Sequence, residues 1–198
     1  MSFALDDAAL DLLFREAHTA RAFTEEPVTD EQVREIYDLI KLAPTAHNTS
    51  PLRLTVLRSP AARERLLPHM SQANRPRTAA APLTVILSLD TDYHEKLPAL
   101  LPALPDLKDS ALYAEPESRF RHGVLNAALQ IGYFLLGVRA AGLAAGPMAG
   151  FDPQGVDKEF FGEGRLRSLV VVNLGRPAET AYSPRQPRLA FEEAAQVL

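Results

Sequence analysis

The chain has 198 residues, of which 46% are hydrophobic and 23% are charged. This composition is ordinary for a globular protein, and the length predicts a single domain over residues 1–198 with a substantial core. A formal net charge of −4 gives no general attraction for nucleic acid. Because the chain has no cysteine, disulfides, thiolate nucleophiles and thiolate metal sites are excluded.

The N-terminal region predicts two helices and no leader. Acids precede the apolar residues of the first 18 positions without a cleavage-site pattern, so we expect a cytoplasmic protein. Asp6 or Asp7 can cap a first helix that ends near Thr19. A second helix begins at Thr29, which forms a capping-box pattern with Gln32. Its inward-facing stripe is predicted to contain Val33, Ile36, Tyr37 and Ile40.

A polar loop follows the second helix. Pro44 stops that helix, and the stretch APTAHNTSP (43–51) is rich in small polar side chains. The simpler interpretation is a connector between a helix and a strand. The functional interpretation is a ligand-binding loop, because Thr45, Asn48 and Ser50 offer donors and acceptors without adding charge.

Two strands are predicted in the next forty residues. The segment Leu52–Leu57 alternates as a strand, and Ser59 with Pro60 opens a helix that reaches Leu67. The run Leu83–Leu89 is continuously apolar, which is typical of a strand buried on both faces.

Residues 90–117 are rich in proline. These prolines interrupt every helix that the segment would otherwise form, so we expect a mobile excursion or lid rather than core. The segment carries Tyr93 and Tyr113, either of which is a candidate to donate a proton to a substrate.

The stretch Arg119 to Ala141 predicts a central helix that is apolar on nearly every side from Val124 to Val138. Such a helix has to be buried. A membrane span needs about 20 apolar residues, whereas Asn126 and Gln130 interrupt a shorter core here. A buried strand would be richer in β-branched residues. We therefore expect a core helix that a second copy of the chain helps to cover, in a homodimer, and no membrane.

The last third of the chain alternates helix and strand. The pattern predicts, in order, a helix cap at Gly142, an extended stretch over 143–147, a helix from Asp152–Pro153 to about Phe160, and a strand over Leu169–Leu174. Residues 176–198 are predicted to form an arm, ending in a short helix or a strand-like segment. Helices with interspersed strands indicate the α+β class.

Common catalytic motifs are absent from the sequence. It contains no G-x-G-x-x-G fingerprint, no phosphate-binding P-loop and no G-x-S-x-G elbow. The five histidines lack ligand spacing, so no metal site is expected. What remains is a dispersed set of basic, hydroxyl and amide side chains. Each alone is most simply a solvated surface residue, but together they would suit an anionic cofactor with a flat ring and a polar chain.

The order of several motifs resembles the FMN-dependent nitroreductase family along essentially the whole chain. HTARAF follows the first helix, APTAHNTSP is similar to the family's A-P-S-x-x-N-x-Q-P loop, N-x-x-R precedes a buried strand, and GPMAGFD resembles a P-x-x-G-[FY]-D turn. GPM-x-GFD and the ending PRL-x-FEEA are most similar to the malonic semialdehyde reductase branch. The resemblance implies a nitroreductase-like fold, with a mixed or antiparallel sheet and a long buried helix, in an intertwined homodimer.

The resemblance also implies an FMN site at the dimer interface. His18, Thr19 and Arg185 would hold the phosphate, with Arg188 a second candidate. The remaining contacts would come from Arg21 and Arg77 near the N1/O2 edge of the ring, Asn74 near its pyrimidine end, Pro147, Met148, Ala149 and Gly150 against the ring, and Pro44, Thr45, Ala46, Asn48 and Ser50 of the other subunit. Two positions depart from the family pattern: Ala17 replaces its first arginine, and Ser50 replaces its loop glutamine.

The implied reaction is a ping-pong hydride transfer through FMN, with NADH or NADPH as the transient co-substrate. No side chain is required for the hydride step, so no catalytic residue is expected. The implied acceptors are malonic semialdehyde, which would become 3-hydroxypropionate, or nitroaromatics and quinones. A flavin-binding or storage module without turnover, and a helical scaffold protein, are the alternatives.

Overall fold

A computed structural model describes residues 3–162 and 164–198, and its centre is a four-stranded sheet. The strands lie in the order β1-β2-β4-β3, and every neighbouring pair is antiparallel. Their bounds are Leu52–Leu57 for β1, Leu83–Asp90 for β2, Ala144–Met148 for β3 and Leu166–Gly175 for β4. The structure therefore confirms the predicted α+β class and fixes the sheet as antiparallel.

Burial on both faces of the sheet explains the apolar run of β2. Every residue of β2 is buried, and its alternate side chains enter two different cores. Val85 and Leu87 belong to the larger core on one face of the sheet. Ile86 belongs to a smaller core on the other face.

Nine α-helices are found in the described residues, and those predicted from Asp6 or Asp7, Thr29, Pro60 and Pro153 start where the sequence predicts. They are α1 (Asp7–Leu10), α2 (Asp30–Ile40), α3 (Pro60–Leu66), α4 (Arg75–Ala80), α5 (Leu97–Leu100), α6 (Ala111–Ala114), α7 (Pro116–Ala140), α8 (Pro153–Phe161) and α9 (Phe191–Ala194). The first of them continues as a π-helical turn and ends at Arg15 rather than near Thr19. The capping box of α2 is confirmed, because the Thr29 hydroxyl accepts from the Gln32 amide and the Gln32 side chain accepts from the Thr29 amide.

Helix α2 packs on α7 through a narrower stripe than predicted. Ile36 and Ile40 are buried, but Tyr37 is 47% exposed, so its assignment to the inner stripe is wrong. The close approach occurs at Gly137 of α7, where a Cβ atom would lie 2.8 Å from Cγ2 of Ile40. A glycine at this point lets the two helices approach each other.

Helix α7 is the predicted central helix, and its two buried polar residues hold neighbouring segments. The Asn126 carboxamide oxygen accepts from the Ala46 amide at 2.7 Å, and that of Gln130 accepts from the Leu52 amide at 3.0 Å. Within the described residues, α7 alone is long and apolar enough to cross a membrane, with a mean hydropathy of 1.2 over its best window. The core helix of a soluble protein passes the same test, and α7 contributes Ile131 and Phe134 to the larger core.

A single chain covers only one face of α7. Ala127, Ile131 and Phe134 are buried, whereas Leu125 is 63% exposed and Tyr133 44% exposed. The expectation that this helix is buried all round is therefore met on one face within one chain.

Residues 90–117 contain a small core of their own, contrary to the expectation that the segment lies outside the core. Tyr93, Leu97 and Tyr113 are fully buried and cluster with Leu89 of β2. The prolines do limit the helices, since α5 and α6 have four residues each. Their effect is to divide the segment into short turns that still pack, and a lid function for it stays a prediction.

Replacing Gln130 with methionine should destabilise the fold by about 1–3 kcal/mol, because the buried Leu52 amide would lose its acceptor while the side-chain volume is kept. Urea unfolding measures this loss. The matched control is Gln154→Met at an exposed position of α8, where we expect a change within about 0.5 kcal/mol. Equal stability of the two variants would show that Gln130 does not anchor β1.

Candidate functional site

A pocket of about 370 Å³ brings together six of the residues that sequence analysis assigned to a cofactor. It lies between residues 17–21, the C-terminal half of α7, β3 and the arm. The predicted residues that line it are His18, Thr19, Arg21, Pro147, Arg185 and Arg188. We call this space the arginine pocket.

Backbone contacts hold the first wall of the arginine pocket. The Ala20 amide donates to the Ala145 carbonyl of β3, and the Arg21 amide donates to the Ala181 carbonyl of the arm, both at 2.9 Å. The chain passes so close to β3 that a Cβ atom on Gly146 would lie 2.5 Å from the Ala20 carbonyl oxygen. Residues 18–21 are thereby fixed between the sheet and the arm.

The arginine pocket is strongly cationic. Arg21, Arg139, Arg185 and Arg188 all line it, no acidic residue does, and none of the four forms an ion pair within residues 3–162 and 164–198. The Arg185 guanidinium instead donates to the Arg15 carbonyl and, at 2.9 Å, to Nε2 of His18. Guanidinium groups without a carboxylate partner are suited to bind phosphate or another anion.

Sequence analysis missed Arg139. Its guanidinium donates to the Leu12 carbonyl at 2.6 Å and lines the pocket. Its position depends on how α7 meets residues 12–18, which no local pattern reports.

A second group of predicted residues does not line the arginine pocket and consists of Asn74, Arg77, Met148, Ala149 and Gly150. The Asn74 amide nitrogen donates to the Gly150 carbonyl at 3.0 Å. Ala149 and Gly150 are exposed, and Arg77 is half-buried on the short helix α4. Met148 is only 9% exposed and its side chain packs in the smaller core, so its contact with a ligand ring stays a prediction.

The third group, residues 44–50, lies at the other half of α7. Asn126 binds the Ala46 amide, while Leu135 and Arg139 border the arginine pocket. Asn126 and Arg139 are thirteen positions apart, which corresponds to about 20 Å along the helix at a rise of about 1.5 Å per residue. One chain therefore does not bring Pro44, Thr45, Ala46, Asn48 and Ser50 to the arginine pocket.

A cluster of histidines and tyrosines lies beneath this loop, and sequence analysis did not find it. Nδ1 of His47 is 2.8 Å from the Tyr113 hydroxyl, and Nδ1 of His122 is 3.1 Å from the Tyr93 hydroxyl. His94 is also buried beside the tyrosines. We call these five residues the His–Tyr cluster. They come from four separate parts of the chain and share no spacing in the sequence.

Burial sets the protonation of the cluster's interior. Burial raises the pKa of Tyr93, with a smaller contribution from Tyr113, and burial also raises the pKa of Tyr113. Burial lowers the pKa of His94 and of His122, and neighbouring positive charge on Arg119 and His47, respectively, adds to it. Because both tyrosines are fully buried and hold their protons more tightly, neither is placed to give a proton directly to a substrate.

No group of three or more histidine, aspartate or glutamate side chains is arranged to hold a metal ion in the part of the chain that the structure describes.

Comparison with known proteins agrees with the fold. The sequence model of the Nitroreductase family matches residues 14–176. A protein of Streptomyces coelicolor, named as a candidate NADH dehydrogenase/NAD(P)H nitroreductase, is 60% identical over 193 residues, which cover 98% of this chain and 97% of that protein. A Stenotrophomonas maltophilia protein with the same name is 46% identical over the full length of both chains.

Solved structures share the architecture at low sequence identity. A candidate nitroreductase of Bacillus subtilis superposes with a TM-score of 0.86 at 19% identity, covering 98% of this chain and all of the other. A candidate nitroreductase of Exiguobacterium sibiricum, solved in complex with FMN, gives 0.83 at 15% identity, covering 100% and 99%. Since the family model matches most of the chain and close relatives match nearly all of it, this chain belongs to the Nitroreductase family.

Proposed function

We propose that this protein is an FMN-dependent oxidoreductase that takes hydride from NADH or NADPH and passes it to a small electrophile. The arginine pocket is the observation that carries the proposal, because four arginines without carboxylate partners face one cavity. The relatives named as NAD(P)H nitroreductases and the FMN complex of the Exiguobacterium sibiricum protein support the same conclusion.

The residues present fit the phosphate end of FMN. Arg185 and His18 already touch each other, and Thr19 and Arg188 line the same cavity. Arg139 adds a cation where the family's first arginine is replaced by Ala17. The volume of about 370 Å³ is near the lower end of the range of about 300–1,000 Å³ for ligand pockets, so we assign this pocket to the phosphate and part of the polar chain.

The flat part of the cofactor would lie beyond Pro147. FMN supplies the hydride chemistry when it is bound. The exposed backbone at Ala149 and Gly150 would face the ring, and Asn74 is held beside it through the Gly150 carbonyl. Arg21 lines the pocket and Arg77 is half-buried on α4, and we assign both to the ring edge where negative charge gathers on reduction.

A homodimer is part of the proposal. The exposed apolar side chains of α7 leave a face that one chain does not cover, and large apolar patches of this kind mark interaction sites. A second copy on this face would also bring its own loop 44–50 to the arginine pocket, which one chain alone does not do. The exposed side chains on this face are Leu125, Leu129 and Tyr133.

The arm over residues 176–198 would reach the partner subunit. Leu189 and Phe191 are 70% and 67% exposed, so this chain does not bury them. A cavity of about 610 Å³ between α2 and β1 is lined by apolar side chains together with Asp30, Arg34, Lys41, Arg53 and Lys96. Of these, Asp30, Lys41 and Arg53 pair with other residues of the chain. Neither Arg34 nor Lys96 forms an ion pair with a described residue. The arm of one subunit carries Glu192 and Glu193, so its charge complements these two cations in the cavity of the other subunit.

Malonic semialdehyde is the acceptor that we propose, with 3-hydroxypropionate as the product. The motifs GPM-x-GFD and PRL-x-FEEA support it. Nitroaromatics and quinones are the competing acceptors of the same reduced cofactor.

Replacing Arg185 with alanine should weaken FMN binding by about 10- to 100-fold, because charge-assisted hydrogen bonds of about 1.5–3 kcal/mol are lost. Titration of cofactor-free protein with FMN, followed by flavin fluorescence, measures the dissociation constant. Arg188→Ala, measured in parallel, shows which arginine contributes more. Arg167→Ala is the matched control on β4, since that guanidinium contacts only nearby carbonyls, and an unchanged dissociation constant in both pocket variants would contradict the phosphate assignment.

Stopped-flow absorbance tests the reaction itself. We expect NADH or NADPH to bleach the flavin bands and malonic semialdehyde to restore them, faster than a nitrofuran or a quinone does. Restoration by the nitrofuran or quinone alone would correct the acceptor. Bound FMN that neither nicotinamide bleaches would indicate a storage module instead, and protein that ignores added FMN would refute the whole proposal.

Replacing Leu125 with aspartate should break the dimer, because it places a charge on the exposed apolar face of α7. Sedimentation analysis should show monomers. The variant should also lose FMN, because the partner's loop 44–50 would no longer complete the site. The control Leu104→Asp introduces the same change at a side chain that is 54% exposed outside α7. A dimer that survives Leu125→Asp would place the interface elsewhere.

A further inference from the structure

The loop that carries His47 has an unusual backbone. His47, Asn48 and Ser50 have φ values of 54°, 53° and 41°, in the left-handed region that side-chain-bearing residues seldom adopt. Such conformations cost free energy and cluster at functional sites. Here they fix where the imidazole of His47 lies.

Hydrogen bonds from three other parts of the molecule hold this conformation. Asn126 of α7 binds the Ala46 amide, and the Asn48 side chain donates to the Leu100 carbonyl at 2.9 Å. The Tyr113 hydroxyl lies 2.8 Å from Nδ1 of His47. The His47 ring is therefore tied to a buried phenol at one nitrogen, while the residue itself remains exposed.

His47 differs from the other members of the His–Tyr cluster in its access to solvent. Tyr93 and Tyr113 are fully buried, His94 is 9% exposed and His122 is half-buried. The titratable and charged groups around His47 are Tyr113 of α6 and His122 of α7, with Tyr93, His94 and Arg119 behind them. Among the histidines of the cluster, His47 is therefore the one most accessible to water.

The proposed reaction needs a proton as well as a hydride. A carbonyl, nitro or quinone acceptor takes the hydride at one atom, and its oxygen takes a proton, so each two-electron step consumes one of each. Loop residues on both sides of His47 are assigned to the partner's cofactor site, so His47 would enter that site with them. Histidine is the side chain most often used to transfer a proton at neutral pH.

We propose that His47 is the general acid of the reduction, acting on the active site of the partner subunit, and that Tyr113 positions it. This inference rests on the proposed function. In the imidazolium form, Nδ1–H donates to the Tyr113 oxygen and Nε2–H is given to the acceptor's oxygen. The neutral ring keeps its Nδ1–H on Tyr113 and regains the Nε2 proton from water before the next turnover.

The test separates the two half-reactions in the holoenzyme. His47→Gln should slow reoxidation of the reduced flavin by about 100-fold, a typical contribution of a general acid, for whichever of the three acceptors oxidises the wild-type protein fastest. Bleaching by NADH or NADPH should keep the wild-type rate, because that step needs no proton from the loop. Ferricyanide takes up electrons without a proton, so its rate should also be unchanged.

The pH profile has a defined sign. A general acid acts in its protonated form, so reoxidation of the wild-type protein should slow as the pH rises, whereas the profile of His47→Gln should be flat. Equal slowing with ferricyanide, or a wild-type reoxidation rate in His47→Gln, would overturn the role of His47 while leaving normal bleaching as support for the proposed function. Failure of bleaching in the wild-type protein would instead refute the proposed function.

Tyr113→Phe and Tyr93→Phe form a matched pair, since each removes one buried hydroxyl from the same cluster. Tyr113→Phe should slow reoxidation by about 10-fold, a part of the general-acid contribution, and Tyr93→Phe should leave it within about twofold. Long-range ¹H–¹⁵N NMR of the imidazoles provides a readout independent of turnover. Tyr113→Phe should move the His47 signals and Tyr93→Phe those of His122, and unmoved His47 signals in Tyr113→Phe would overturn the positioning role.

Discussion

The burial of α7 is the constraint on which the rest of the structure depends. A helix that is apolar on nearly every side has to be covered, and one chain covers it on the side of Ile131 and Phe134. Its polar positions are not defects in this packing, because Asn126 and Gln130 accept from the loop 44–50 and from β1. The same helix thus fixes the loop at one half, borders the arginine pocket at the other, and leaves Leu125 and Tyr133 exposed between them.

Features set by neighbours within a few residues could be predicted from the sequence. Thr29 and Gln32 are three positions apart and form their capping box regardless of the rest of the fold. The run 83–89 contains no charged residue, so its burial on both faces could be predicted from the sequence. Tyr37 could not be assigned in this way, since its exposure depends on the angle at which α2 meets α7 near Gly137. Tyr93 and Tyr113 lie between prolines, and only the tertiary fold shows that they share a core.

The candidate site likewise contains residues that the sequence suggests and residues that only the tertiary fold brings together. Motif order suggested His18, Thr19 and Arg185 as members of one site, and they do line one pocket. Arg139 and the His–Tyr cluster gave no signal, because their members meet only through packing between distant segments. The assignment of Met148 to the ligand ring stays a prediction, and strand alternation points its side chain into the smaller core while its neighbour Pro147 lines the pocket.

The local charge of the arginine pocket is opposite in sign to the net charge of the protein. The chain is acidic overall, and six of the thirteen arginines outside the pocket form ion pairs. Among them, Arg53 and Arg165 pair with buried Asp90, and Arg65 pairs with Glu159. What distinguishes the arginine pocket is that four guanidiniums line one cavity and no described acidic residue lines it. Like charges held together without counterions repel one another, so this arrangement is stabilised when an anion occupies the pocket. The four guanidiniums in one cavity therefore explain, independently of any sequence motif, how a protein with a net charge of −4 can bind an anionic cofactor.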